Sequence, residues 1–427
     1  MNFSDFIKRY RLRACDFDME DLVAVFMQEM TNGLEGGESS LRMIPTYIEA
    51  ENDFLKEVPV LAIDAGGTNF RAALISFSGK GKLESGEVYN FRMPGLDGEV
   101  SREEFFRIMA GYIRTLAEKT ERIGFCFSYP TEILPDRDGR LLQFCKEVQA
   151  PEVVGQLIGK NLLTTLGTPE KQIVLLNDTV ATLLAGKSAF AGTSFDSFIG
   201  FILGTGTNTC YIEHNSNILK NKDIDPFASQ IINVESGNFG KAPRTELDIL
   251  FDQTTLNPGN YTFEKMFSGG YFGGLCLSVL KKAAEEGVFS AEAAASIIGL
   301  KELSSNEANA FVSGERDSGE DVLAKCFSDP DDAGSCANII DTLIDRAAKL
   351  VASNLTAVLL KTGRGKSQDR PVLITIEGTV FYRLHNFISR FEAYFREYLS
   401  GDRQRFYEFT EVKQSSLIGA ALAGLIS

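Results

Sequence analysis

The chain reads as an α/β protein of two lobes, and three observations predict it. Its 427 residues exceed what a single hydrophobic core usually supports, so two lobes are expected. Short apolar runs alternate with amphipathic helical stretches, the pattern of largely buried sheets. Two stretches also share one design, an apolar strand, a Gly/Thr turn and a second strand: "VLAIDAGGTNFRAALISF" (60–77) and "FIGFILGTGTNTCYIE" (198–213). They suggest a duplicated unit, one per lobe.

The elements follow in order. Leu22, Val25, Phe26 and Met30 stand at helical spacing and predict a helix over 19–32 that stops at Gly33. "GLEGGESS" then reads as a loop. Strands are predicted over 59–64, 70–77 and 85–92, followed by an amphipathic helix in "REEFFRIMAGYIRTLAEK". "IGFCFS" is a strand ending at Ser128-Tyr129-Pro130, and "QIVLL" another, ending at Asn177-Asp178. "TVATLLAGKSAF" follows as a helix. Residues 303–337 are polar and acidic and read as peripheral helices and loops. A long helix, "NIIDTLIDRAAKLVASNLTAVLLKT", leads into the strand "PVLITIEG".

Composition removes several function classes. A net charge of −15 argues against nucleic-acid or anionic-membrane binding, which needs concentrated Lys and Arg. Two histidines, His214 and His385, exclude a His-rich metal centre and argue against a His-based triad. Seven cysteines without a C-x-x-C pair give neither a disulfide framework nor a zinc site. Cys126 and Cys210 lie in apolar runs and read as small core residues. The start of the chain has no apolar h-region, and "SSLIGAALAGLIS" is too short to span a bilayer, so the expected compartment is the cytoplasm.

A hairpin tip of Gly66, Gly67 and Thr68 can offer successive backbone N–H groups to a phosphate. Asp64, just before it, could hold Mg²⁺ directly or through water; the plainer reading is a structural turn with Asp64 bonded to the tip. The matching tip Gly204-Thr205-Gly206 favours two phosphate cradles facing a common cleft. Asn177-Asp178 stands at a strand's carboxyl end and a helix's start, where α/β proteins bind ligands, although Asn or Asp there is also an ordinary cap. The helix end is expected to lower the pKa of Asp178, leaving an ionised, modest base. "TGRGKS" (362–367) fails as a Walker loop because Leu360 stands where glycine is required.

Together these segments resemble the hexokinases of the actin-like ATPase superfamily, the type related to eukaryotic hexokinase and glucokinase. The likeness runs from "GLEGGESSLRMIPTYI" to the C-terminal "GAALAG". Between them, in order, come "IDAGGTNFR", "GFCFSYP" with "FCKEV", "LLNDTVATLLAG", "LGTGTNTCYIE", "INVESGNFG", "NPGNYTFEKMFSGGYFG" and "IEGTVF". The resemblance implies two ribonuclease-H-like lobes around a deep cleft: a small one over 58–176 plus 414–427, and a large one over 1–57 plus 177–413. It implies phosphorylation of a hexose, glucose first among candidates, at the 6-hydroxyl with ATP and Mg²⁺, entering glycolysis. Asp178 matches the family's base. Ser128, Lys146, Asn177, Asn208, Glu235 and Glu264 match its sugar ligands, with Lys146 also stabilising the moving phosphoryl group. Asp64, Gly66, Gly67, Thr68, Asn69 and Arg71 match the first phosphate loop; Gly204, Thr205 and Gly206 match the second; Gly378 and Thr379 match the adenosine region. Sugar binding should close the lobes, with "SGGYFGG" (268–274) either a mobile cleft edge or a helix connection.

The chain also departs from the family. Phe144-Cys145-Lys146 replaces Trp-Thr-Lys, so a threonine hydroxyl that touches the sugar is lost. Ser236 replaces a tryptophan, "GGYFGG" lacks the family's lysine and glutamate, and "QSSLIGAA" lacks a basic residue before Gly-Ala-Ala. These changes motivate an alternative, a sugar sensor with little catalysis. A filament or chaperone ATPase would carry no sugar-ligating set.

Overall fold

The computed structural model describes residues 1–49, 53–144, 148–190, 193–314 and 322–426. In chain order its strands are β1 (Ile44–Pro45), β2 (Val60–Gly66), β3 (Asn69–Phe77), β4 (Leu83–Ser85), β5 (Tyr89–Arg92), β6 (Arg122–Phe127), β7 (Thr131–Ile133) and β8 (Gly139–Leu141). They continue as β9 (Gln172–Leu176), β10 (Ser197–Leu203), β11 (Thr207–His214), β12 (Ser229–Asn233), β13 (Val372–Glu377) and β14 (Tyr407–Thr410). The helices are α1 (Phe3–Arg9), α2 (Met19–Glu35), α3 (Arg102–Ala117), α4 (Ile158–Leu166), α5 (Asp178–Ala189), α6 (Glu246–Gln253) and α7 (Phe272–Glu285). Then come α8 (Ala291–Gly299), α9 (Ser305–Ser313), α10 (Pro330–Thr362), α11 (Thr379–Arg383), α12 (Phe387–Tyr398) and α13 (Ser415–Leu425).

The strands form two large sheets of one connectivity. The first runs β4-β3-β2-β6-β9, with β5 also on β3; the second runs β1-β12-β11-β10-β13-β14. In each, the central strand pairs antiparallel with its successor and parallel with a later strand, which pairs parallel with the outermost one. The paired hairpins of the sequence are therefore the centres of two like sheets.

Three apolar clusters hold these layers. One joins the first sheet to α3 and α4 through residues such as Leu61, Ile63, Phe106, Met109, Phe125 and Leu162. A second packs α2, α7 and α10 with the second sheet through Phe26, Phe201, Leu275 and Val351. The third lies between the sheets, where α5 and α13 bring Val180, Leu183, Leu417 and Ala421 against Val60, Ala62, Cys126 and Cys210. Small residues make that layer thin. A Cβ on Gly419 of α13 would stand 2.1 Å from the Ala181 carbonyl oxygen of α5, and one on Gly124 of β6 would stand 1.7 Å from that of Ala420. Cys126 and Cys210 are fully buried, as core residues should be. Among the described residues, no helix is long and apolar enough to cross a membrane.

Several boundaries differ from those read off the sequence. Helix α2 continues past Gly33 to Glu35, and Gly36, at φ 81°, is its left-handed cap. Gly33 is needed for packing instead, since a Cβ there would lie 2.6 Å from Met43 Cγ. The stretch 85–92 is two short strands, β4 and β5. Helix α10 starts eight residues before the predicted Asn338, at Pro330, with Asp329 as cap and proline in the first turn. "SGGYFGG" is a helix connection: Gly269 and Gly270 donate to the carbonyls of Gly204 and Thr205 at 2.8 Å, and Phe272–Gly274 already belong to α7.

Candidate active site

The first hairpin puts its carboxylate inside the sheet. Asp64 is buried on β2 directly across from Arg71 on β3. The guanidinium donates to it through Nε at 2.9 Å and through a second, shorter bond. Burial raises the pKa of Asp64, while Arg71 pulls it back down. Arg71 is thus half of an ion pair, and Asp64 is bonded to the adjacent strand. The tip is a two-residue turn, Gly67-Thr68, with Gly67 at φ 59°. Its carbonyls are taken by the Tyr129 hydroxyl (2.9 Å to Gly67) and the Met93 amide (3.0 Å to Thr68). Thr68 and Asn69 are exposed.

The second hairpin has a three-residue tip, Gly204-Thr205-Gly206, closed by a 2.9 Å bond from Gly204 N–H to the Gly206 carbonyl. Gly378, at φ 117°, packs against it: a Cβ there would stand 2.2 Å from the Leu203 carbonyl oxygen. The candidate adenosine residues Gly378 and Thr379, the first residue of α11, thus adjoin this tip. Among the described residues, nothing accepts from the N–H groups of Gly67, Thr68, Thr205 or Gly206. Those amides are the donors a polyphosphate requires.

The polar residues behind the tips form one network. Asn177 caps α5, accepting from Thr179 N–H at 2.9 Å. The Asn208 amide donates to Asn233 Oδ1 at 2.8 Å and lies 3.3 Å from Asn177 Oδ1 and 3.5 Å from Glu235 Oε1. Asn233 in turn donates to Glu235 at 2.9 Å. Two N–H hydrogens face three acceptors, so the cluster retains acceptor capacity for hydroxyl donors such as those of a polyol. Glu235 is held in the left-handed region at φ 59°, a conformation that costs free energy away from glycine. Its pKa is raised by burial, with Asn233 opposing. A small cavity here is lined by Asn177, Asn233 and Glu235 together with Phe127, Tyr129 and Leu176. Asn233 was not singled out from the sequence, where it closes an apolar strand; its place two residues before Glu235 is the only local hint.

Glu264 and Ser128 each press on a hairpin. Glu264 heads a short 3₁₀ turn, and its Oε2 accepts from Thr207 N–H at 2.8 Å. A Cβ on Gly206 would stand 2.6 Å from that oxygen, and one on Gly66 would stand 2.8 Å from Ser128 Cβ. The Ser128 amide donates to the Ala65 carbonyl at 3.0 Å, fixing its position beside the first tip.

Asp178 opens α5. Its Oδ1 accepts from the Thr179 amide at 2.8 Å and faces the Thr179 hydroxyl at 3.3 Å. Its pKa does not fall, as its helix-end position predicts, but is raised to about 6. Burial contributes most, Glu377 next, then Asp64 and Glu235, and together they outweigh the Thr179 amide and the helix end. Such a carboxylate is ionised at neutral pH yet far more basic than an exposed aspartate. Lys146 and Cys145 lie outside the described residues.

The structure thus brings Asp64, Arg71 and Ser128 to the first tip, Glu264 and Gly378 to the second, and Asn177, Asn208 and Glu235 into one network beside Asp178, which feels the charges of both Asp64 and Glu235. The chain superposes on the structure of hexokinase from Schistosoma mansoni complexed with glucose with a TM-score of 0.79 at 23% identity, covering 99% of this chain and 98% of that one. A hexokinase of the ROK class from Thermus thermophilus gives a TM-score of 0.53 at 16% identity over 86% of this chain and 98% of the other. The fold is therefore the two-lobed, actin-like ATPase fold, with a cleft between lobes. In sequence, the chain is 30% identical to hexokinase-1 of Arabidopsis thaliana over 92% of this chain and 85% of that protein. It is 28% identical to glucokinase of Aspergillus niger over 95% and 93%. Two family models, each described as hexokinase, match residues 5–188 and 198–426, and on these grounds the chain belongs to the hexokinase family.

Proposed function

We propose that the protein transfers the terminal phosphoryl group of ATP to the 6-hydroxyl of a hexose, glucose first among the candidates, as an entry step to glycolysis. The observation that carries this reading is Asp178, a basic carboxylate next to Asn177 of a polar cluster rich in acceptors and within reach of the Asp64 charge, in a chain whose two glycine tips have amides unpaired among the described residues. Asp178 takes the hydroxyl proton, late in a loose transition state that asks little of the base. Asn177, Asn208, Glu235, Glu264 and Ser128 bind the remaining hydroxyls, which would be costly to bury without partners. The tips around Gly66–Asn69 and Gly204–Gly206 take the phosphates, Arg71 belongs to the first of them through its pair with Asp64, and Gly378 with Thr379 adjoins the adenosine. Lys146 keeps the role its resemblance implies, at the sugar and the moving phosphoryl group.

Magnesium fits this set in one way. Asp64 is a single carboxylate whose Oδ2 takes both Arg71 bonds, so its Oδ1 is the oxygen to which Arg71 does not donate. That suits an ion bound through one carboxylate, directly or through water, together with nucleotide phosphates. When bound, the ion offsets phosphate charge. The lobes are taken as 58–176 with 414–427 and 1–57 with 177–413. Their closure over the sugar would expel water that could otherwise accept the phosphoryl group.

The test is ADP release with Mg-ATP and glucose, mannose, fructose or glucosamine, with Asp178→Ala beside the wild type. One sugar should drive turnover, and the variant should lose about 10³-fold in kcat. Hexose binding without ADP release above the variant's would instead support a sugar sensor, and Cys145→Thr would be the first reversion to make.

A further inference from the structure

Glu377 belongs to none of the sets described so far. It ends β13, immediately before Gly378. One of its oxygens, Oε2, accepts from the Thr182 hydroxyl of α5 at 3.1 Å and from the Ser415 hydroxyl of α13 in a short bond. The two hydroxyls are 3.3 Å apart, and both residues are fully buried. Thr182 sits one turn beyond Asp178, and its single hydroxyl hydrogen is shared between Glu377 and the Asp178 carbonyl, which lies 3.0 Å away. Helix α13 has no side-chain cap of its own; Gln414 at its start is left-handed (φ 58°) and contributes only its carbonyl, which accepts from Leu417 and Ile418 N–H. One carboxylate oxygen therefore joins three elements: the base-bearing helix, the strand leading to the nucleotide loop, and the helix wedged between the sheets.

We propose that Glu377 is a positioning residue for phosphoryl transfer, holding α5 and α13 in register with the nucleotide strand through Thr182 and Ser415. The inference rests on the kinase reading given above. Its charge has a second consequence. No described Lys or Arg pairs with Glu377. The charges that raise the Asp178 pKa come from carboxylates, Glu377 on β13, Asp64 on β2 and Glu235 after β12, with Arg71 of β3 sitting on Asp64. Cys126 on β6 and Cys210 on β11 are neutral, because burial lifts both thiols far above their ordinary range. Removing the Glu377 charge therefore makes the Asp178 proton easier to lose.

Gln and Ala separate the two roles. A glutamine oxygen can accept both hydroxyl bonds and carries no charge, whereas alanine removes bonds and charge together. The experiment measures kcat and KM for the active hexose from pH 5 to 9, with Tm recorded, for wild type, Glu377→Gln, Glu377→Ala and Ser415→Ala. Glu377→Gln should lose less than about tenfold in kcat at pH 8 and move the acidic limb down by about half to one pH unit. Glu377→Ala should lose about 10²-fold in kcat with little change in hexose KM, the sign of a misplaced reacting group. Ser415→Ala, which keeps the charge and one of the two bonds, should fall between wild type and Glu377→Ala with its acidic limb unmoved. Glu377→Ala retaining full kcat overturns the positioning role; if that variant does not fold, full kcat in Ser415→Ala overturns it. An unmoved limb in Glu377→Gln overturns the charge effect. A wild type that phosphorylates no hexose instead defeats the kinase reading itself.

Discussion

The two glycine hairpins occupy equivalent places in sheets of like connectivity, yet they are fixed by different means. The first is a two-residue turn that needs glycine for its backbone angle at Gly67, and its carboxylate is neutralised within the hairpin by Arg71. The second is a three-residue tip in which neither Gly204 nor Gly206 has a positive φ. Gly206 is there because Glu264 comes too close, 2.6 Å from where its Cβ would stand, and the glycine at 378 because its own Cβ would strike Leu203 at the base of the tip. The first hairpin is thus braced by Met93, Ser128 and Tyr129, which follow strands of its own sheet, while the second is also held by Glu264, Gly269 and Gly270 from a segment outside its sheet. A shared motif does not mean a shared reason for its glycines.

That contrast can be broken by substitution. Gly206→Ala should push Glu264 off the Thr207 amide and cost about 10²-fold in kcat/KM for the hexose, since displacements near 1 Å have that effect. Gly66→Ala, which crowds only Ser128, should cost about tenfold; equal losses would mean that the two tips are braced alike. Arg71→Met leaves Asp64 buried without its partner and should destabilise the first lobe by about 3 kcal/mol in denaturant unfolding. Glu264→Gln keeps an acceptor for Thr207 and should change stability by less than about 1 kcal/mol. A larger loss there would show the second tip to depend on charge as well.

Asp178 supplies a finer test, because its pKa is higher folded than unfolded. The folded state holds this proton between about pH 4 and pH 6 while the unfolded chain has released it, so stability contributed by this group falls as pH rises through that window. Asp178→Asn should therefore stabilise the unliganded protein at pH 7, by about 3 kcal/mol or roughly 3 °C in Tm, and the gain should vanish below pH 4. The same carboxylate should give kcat/KM an acidic limb near pH 6. An Asp178→Asn variant less stable than wild type at pH 7 would mean that the helix end, not burial, governs this group.

Much of this was legible in the sequence because apolar period and turn chemistry are local. The strands 122–127 and 172–176, the helix after Asp178 and both hairpins follow from them. The start of α10 was also written locally, as Asp329-Pro330, but the acidic surroundings masked it. What could not be read depends on distance. Gly33 looks like a helix stop until Met43 folds back against it, and Asp178 looks like a simple helix-end aspartate until Glu377 arrives from 199 positions away. Asn233 gained meaning only when Asn208 was laid beside it by the second sheet. Contact residues of this kind carry no sequence period, so composition and spacing pass over them.

The wedge formed by α13 has a consequence for synthesis. Residues 415–425 cover one face of a sheet whose last strand ends at Leu176, about 240 positions earlier. At ribosomal rates of about 5–20 residues per second, that apolar face waits roughly 12 to 48 s for its cover. The first half of the chain cannot complete its interior as it leaves the ribosome, and its exposed Val60, Ala62 and Cys126 face is the surface a chaperone would guard until the last helix arrives.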